Sequence, residues 1–163
     1  MSNDRIYISR DGLISVIVSH SCLSEMIRIS ENTNGNEIGS VLIGHYSKDG
    51  YSAFVEGTRP PPPGSIGRRM SFCRAARGIS SFFYKLFRIS KGRKYYIGEW
   101  HLHPGGSVNP SVIDDQTMVS ISKDHNSCGF ISIILGGSSL IKPQVGVSVY
   151  FKDSRVDLIE RRL

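Results

Sequence analysis

Four consecutive prolines, Pro60–Pro63, sit inside the stretch RPPPPGS (residues 59–65) and divide the chain. Each proline removes a backbone donor, so this stretch is neither helix interior nor central strand. Any sheet the chain builds must break here. The segment reads as a stiff surface loop of polyproline character, serving as a spacer or a recognition loop.

Before it, GLISVIVS (Gly12 to Ser19) is a β-branched run that reads as a strand. HSCLSEMIRIS follows with Leu23, Met26 and Ile27 at helical spacing and Ser21 as the expected N-cap. EIGSVLIGHY (Glu37 to Tyr46) is again strand-like, and the Asp49–Gly50 turn folds YSAFVEGT back on it as a hairpin. After the prolines, Ile79, Phe82, Phe83, Leu86 and Phe87 form one helical stripe, expected in the core, with Lys85 and Arg88 on the polar face. KYYIGEWHLH is a strand, PSVIDDQTMVSIS a helix begun by Pro110 and Ser111, and GFISIIL and VGVSVYF close the sheet. Mixed elements with hairpin neighbours predict an α/β (α+β) class: a curved mixed sheet flanked by helices.

A length of 163 residues fits one domain, with no internal repeat, so residues 1–163 are expected to form a single unit. No apolar run approaches the ~20 residues of a membrane helix. The start, MSNDRIYISRDG, has no signal-peptide core, so a cytoplasmic location is expected. Cys22, Cys73 and Cys128 are odd in number and widely spaced, which predicts free thiols rather than disulfides or a cysteine zinc site.

Charge is unevenly spread. Between Gly57 and Gly98 there are ten basic residues and no Asp or Glu; the other ten basic residues share the rest of the chain with all fourteen acids. A one-sign block of this length suits an acidic protein surface or a nucleic acid, or is simply a solvated face.

The densest chemistry lies in GEWHLHPGGSVNPSVIDDQ, Gly98 to Gln116. Alternate side chains of a strand share a face, so His101 and His103 point the same way, roughly 7 Å apart at the backbone. Trp100 and Leu102 point to the core, and Pro104 ends the strand. Ser111 and Asp114, three apart at a helix start, share a helix face. The GGSVN loop lets that helix return toward the histidines. His101, His103 and Asp114 then form three ligands, the pattern of a catalytic zinc (Zn2+) site with its fourth position open. Taken singly, Ser-x-x-Asp is also an ordinary cap with a first-turn acid; the combined pattern is much rarer than its parts. A zinc hydrolase needs a carboxylate to carry a proton from water to the leaving amine. Glu37 is the first candidate. Glu99 shares the face of His101 and competes. Asp115 is turned about 100° around the helix from Asp114.

Glu37 with EIGSVLIG, His101-Leu102-His103-Pro104, and Ser111-Val112-Ile113-Asp114 together resemble the signature of the JAMM (JAB/MPN) metalloprotease family. The resemblance implies a cytidine-deaminase-like JAB/MPN fold, zinc on His101, His103 and Asp114, Glu37 as general base, and Ser111 as a donor to the oxyanion. Leu102 departs from the usual Ser or Thr, and Ser40 stands where Gly is common. The flanking RPPPPGS, RRMSFCRAARG and KYYIGEWHLHPGG are similar to stand-alone bacterial JAB proteins of CBASS antiphage operons and integrative elements. That narrower resemblance implies a deconjugating isopeptidase acting on a protein substrate. The substrate would be a conjugate or ubiquitin-like tail, such as one on a cyclic-nucleotide synthase, made by an E1/E2-like partner. The alternatives are trimming of a sulfur-carrier or ubiquitin-like protein, and a nucleic-acid-binding accessory protein using residues 57–98.

Overall fold

The computed structural model describes residues 3–124 and 129–161. Eight strands close into a barrel: β1 (Arg5–Ile8), β2 (Ser15–Val18), β3 (Gly39–Tyr46), β4 (Ser52–Thr58), β7 (Tyr95–Leu102), β8 (Phe130–Gly136), β9 (Gln144–Phe151) and β10 (Ser154–Arg161). Their order around the barrel is β1-β10-β9-β8-β7-β3-β4-β2. The expected curved sheet is thus closed on itself. Closure is made by β1, which pairs antiparallel with both β2 and β10. The short strands β5 (Ile66–Arg68) and β6 (Ser71–Cys73) form a separate hairpin after the proline loop. Among the described residues three helices complete the fold: α1 (His20–Ser30), α2 (Ile79–Ile89) and α3 (Val112–Asp124).

Local sequence explains most of these elements. Ser19, not Ser21, caps α1: its hydroxyl accepts from the Cys22 N–H at 3.2 Å. Ser21 lies inside the helix, so its hydroxyl cannot serve the first turn in that way. The β3–β4 hairpin turns at Asp49–Gly50, where Gly50 takes a φ of 79° that glycine tolerates.

The main core joins α1 (Cys22, Leu23, Met26) to one face of the barrel strands, including Leu42, Val55, Trp100, Leu102, Ile131, Ile133 and Val147. A second cluster, Met118, Phe130 and Tyr150, lies under α3. Strand β8 is buried along its whole length because it serves both clusters. Helix α2 departs from expectation. Of its apolar stripe only Ile79 is buried; Phe87 is 51% exposed. Its inner side rests on Tyr96 through Phe83, with ring centroids 5.2 Å apart, so the stripe packs on the barrel's rim rather than in its core.

One crossover positions the site. Strands β7 and β8 are parallel neighbours. A parallel pair needs a long connection, and α3 is that connection. The start of α3 therefore returns to the end of β7, where the two histidines stand. No helix among the described residues is long and apolar enough to cross a membrane.

Candidate metal centre

Strand β7 alternates as its sequence demands. Trp100 and Leu102 are buried in the core, and His101 and His103 face the other way. The Trp100 indole N–H donates to Thr58 Oγ1 at 2.7 Å, which locks the inner face of the strand. Leu102, the first departure from the family pattern, is clear of the histidine face. Opposite His101 in the ladder stands Gly39. A Cβ there would come 2.2 Å from the Trp100 carbonyl, so only glycine lets β3 run this close. Ser40, the second departure, is buried, and its hydroxyl has no partner among the described residues; nothing in the structure explains that.

The three sequence-predicted ligands converge. His101 Nε2 and His103 Nε2 are 2.9 Å apart. His101 Nε2 lies 3.4 Å from Asp114 Oδ1, and His103 Nε2 lies 3.4 Å from Asp114 Oδ2. All three ligand atoms fall within 4.8 Å of one another. Tetrahedral donors held ~2.0–2.1 Å from zinc are about 3.3 Å apart, so the set fits that ion. Tautomer chemistry fits as well. His103 Nδ1 is 2.7 Å from the Ser107 carbonyl, an acceptor only, so the neutral ring keeps its proton on Nδ1 and offers the Nε2 lone pair to a metal, while the protonated ring of the metal-free site also directs Nε2–H at Asp114.

Asp114 is oriented by the cap of its own helix. Ser111 N–H donates to Asp114 Oδ2 at 2.7 Å, and Asp114 N–H donates to Ser111 Oγ at 3.2 Å. This is a reciprocal capping box. Burial pushes the Asp114 carboxyl up, but hydrogen bonds from His101 and His103 outweigh it and hold the group far below the usual carboxylate range. His103 is shifted up, chiefly by its bond to Asp114.

These residues open onto a cleft of about 400 Å3, lined also by Glu37, Ser111, Trp100, Pro104, Ile113 and Met118 and by Arg69 to Phe72 of the β5–β6 hairpin. Glu37 precedes β3 by two residues rather than opening it. Its N–H donates to the Arg68 carbonyl at 2.8 Å, so it hangs from the hairpin. Desolvation is the largest influence on its carboxyl and raises it above the ordinary value; the nearby histidines oppose this.

The two rival carboxylates are occupied. Glu99 Oε1 accepts from Arg74 Nη2 at 2.6 Å and Nε at 3.0 Å, and from the Tyr96 hydroxyl at 2.5 Å. Asp115 accepts from the Tyr150 hydroxyl and from Arg155. Sequence reasoning missed the β5–β6 hairpin and the Arg74–Glu99–Tyr96 link that ties its base to β7. Three-residue strands carry too little periodicity to be seen, although Gly67 and the alternation around Phe72 hint at them. Cys22 is buried, with its thiol pushed up to about 12 by burial, and Cys73 is exposed; neither is paired. Cys128 lies outside the described residues.

Comparison with known proteins bears on this site. Residues 19–149 match the model of the family described as prokaryotic homologues of the JAB domain. A protein of Enterobacter hormaechei subsp. hoffmannii (strain UCI 50) named CD-NTase/cGAS isopeptidase is 34% identical over 136 residues, covering 82% of this chain and 74% of that protein. The solution structure of protein DSY2949 from Desulfitobacterium hafniense superposes with a TM-score of 0.63 at 18% identity, covering 86% of this chain and 87% of the other. At that identity the likeness concerns the fold.

Proposed function

This chain belongs to the family of prokaryotic homologues of the JAB domain, and on that premise we propose that it is a zinc-dependent isopeptidase of bacterial antiphage (CBASS) defence. It removes a conjugated protein or ubiquitin-like tail attached by an E1/E2-like system. The relative named CD-NTase/cGAS isopeptidase makes a nucleotidyltransferase conjugate the first substrate to try. The observation that carries the reading is the convergence of His101 Nε2, His103 Nε2 and the Asp114 carboxylate in a cleft shared with Glu37 and Ser111.

The residues divide the work. His101, His103 and Asp114 hold the ion. Zinc supplies Lewis acidity, polarising a carbonyl and lowering the pKa of water to about 7. Glu37 accepts a proton from the attacking water and returns it to the departing amine, so one amide bond and one water become a carboxylate and a free amine. Its carboxyl, raised by desolvation, suits a group that must both take and give that proton. Ser111, which lines the same cleft, uses its hydroxyl to stabilise charge developing on the carbonyl oxygen.

Trimming of a sulfur-carrier protein would use the same chemistry, and substrate panels separate the two. The nucleic-acid reading is weakened by the company its cations keep. Arg74 is bound to Glu99, Lys94 lies 3.5 Å from Glu56, and Arg59 stacks on Phe82 at 4.3 Å.

The test combines metal content with hydrolysis. The purified protein is expected to hold about one zinc per chain and to release a target from a model isopeptide conjugate. His101→Ala, His103→Ala and Asp114→Ala are each expected to lower both. Full zinc retention in all three variants would remove the metal centre.

A further inference from the structure

Neighbouring aspartates on α3 have separate partners. Asp114 faces the histidines. Asp115, a turn of about 100° further around the helix, faces the barrel. Its Oδ1 accepts from the Tyr150 hydroxyl of β9 at 2.5 Å, and both its oxygens accept from Arg155 Nη1 of β10, at 2.6 and 2.7 Å. Arg155 is held in turn by Asp157, whose Oδ1 is 2.9 Å from its Nε, and Asp157 takes a further bond from Ser148 at 2.7 Å.

Helix α3 needs such a fixture. Only Met118 and Ser122 are fully buried along its 13 residues. Val119 and Ile121 add packing against the second cluster, but they lie C-terminal to Met118, so the first turn, where Asp114 sits, has no buried anchor of its own. A rotation by a fraction of a turn would swing Asp114 away from both imidazoles. The Asp115 clamp lies one residue from that ligand and couples it to two strands. Its ion pair is partly exposed, with side chains 39% and 32% accessible, so it adds little to global stability. Its geometry, one guanidinium nitrogen shared by both carboxylate oxygens together with a buried tyrosine hydroxyl, is specific all the same.

We infer that Asp115, Arg155 and Tyr150 form a positioning device that sets the rotation of α3 and so the reach of Asp114 toward the metal. This inference rests on the metal centre proposed above. The device touches neither substrate nor ion; it acts through the helix.

The experiment compares Asp115→Asn, Arg155→Gln and Tyr150→Phe with the unaltered chain. Zinc affinity is read by competition with a chromogenic chelator, coordination by the visible spectrum of the cobalt-loaded protein, and folding by the helical signal of the metal-free protein. Asp115→Asn is expected to weaken zinc binding about 10–100-fold, the range met when the support that orients a metal ligand is lost. The cobalt spectrum should change while the helical signal does not. Adding Arg155→Gln to Asp115→Asn should cost little more, because the two belong to one unit. Unchanged affinity in Asp115→Asn, with the unaltered chain binding zinc, would overturn the positioning role alone. So would a loss of affinity in all three variants that merely tracks loss of helical signal. Failure of the unaltered chain to bind zinc would overturn the metal centre and this inference together.

Discussion

The backbone N–H of Glu37 donates to the carbonyl of Arg68 across 2.8 Å, and the next glycine back, Gly67, lies flat against the Glu37 carbonyl. The proposed base is therefore tethered to the β5–β6 hairpin that roofs its cleft. A Cβ on Gly67 would stand 2.1 Å from the Glu37 carbonyl oxygen. Gly67→Ala must therefore push hairpin and base apart. Displacements of about 1 Å at a reacting group cost roughly 100-fold in rate. Gly67→Ala is expected to lower kcat by about that factor while zinc content stays unchanged, since no metal ligand is touched. Steady-state kinetics with metal analysis on the same preparation checks it; wild-type kcat would mean the tether is irrelevant.

Glu37 and Glu99 differ in what already binds them. Glu99 accepts from Arg74 and Tyr96, whereas the Glu37 carboxylate lines the cleft, where its charge interacts with His101 and His103. Glu37→Gln is expected to keep zinc and fold and to lose about 100- to 10,000-fold in kcat, the range for a general base. Glu99→Gln leaves Arg74 a neutral acceptor, so it should loosen the hairpin and raise KM while most of kcat survives. The opposite pattern would move the base to Glu99.

The site was legible because its signals are local. Strand alternation puts His101 and His103 on one face, and a cap signature sets Asp114 at a helix start. What brings them together is the parallel pairing of β7 with β8, a non-local fact that a flexible loop only permits. Barrel closure was hidden for a related reason. Strand β1 is four residues long, and the alternation of Val156 and Leu158 in β10 is diluted by Arg155, Asp157 and Glu160. The stripe on α2 shows the converse error. Period 3.6 establishes that residues share a face, but not how deep that face lies, and here it reaches only the rim.

The metal-free protein should show a pH window set by His103 and Asp114. His103 is raised above 6.5 by its bond to Asp114, so its contribution to stability is complete below pH 6.5 and is lost as pH rises through the folded value. Asp114 is lowered from 3.8, so its contribution is present above pH 3.8 and is lost as pH falls through its folded value. Together they favour the metal-free fold most between pH 3.8 and 6.5. Zinc reverses the upper limit, because it competes with a proton for His103 Nε2. The difference in Tm between zinc-loaded and chelated protein is therefore expected to widen from pH 6 to pH 8. A difference that narrows over that range would contradict the pairing of these two groups.

Substrate selection is expected to divide between the cleft and the hairpin. The outer strand β6 pairs only with β5 among the described residues, which leaves its other edge open beside the metal ligands. An extended tail can pair along that edge, with its backbone supplying affinity and its scissile carbonyl delivered to the metal centre. Phe72 and Met118 line the cleft there, so glycine or another small residue is expected before the cleaved bond. At the mouth of the cleft, Arg68 and Arg69 are exposed at the hairpin tip and can meet an acidic surface on the folded body of the substrate. That contact is made equally in the ground state and the transition state. Reversing it by Arg68→Glu with Arg69→Glu should therefore raise KM more than it lowers kcat. Salt should weaken the unaltered enzyme in the same sense, because exposed charges are screened. A panel of fusions differing only in the residues before the scissile bond, assayed with both proteins, separates the two contributions. Equal cleavage of bulky and glycine-ended tails, with no effect of the charge reversals, would defeat this substrate model and leave the metal centre standing.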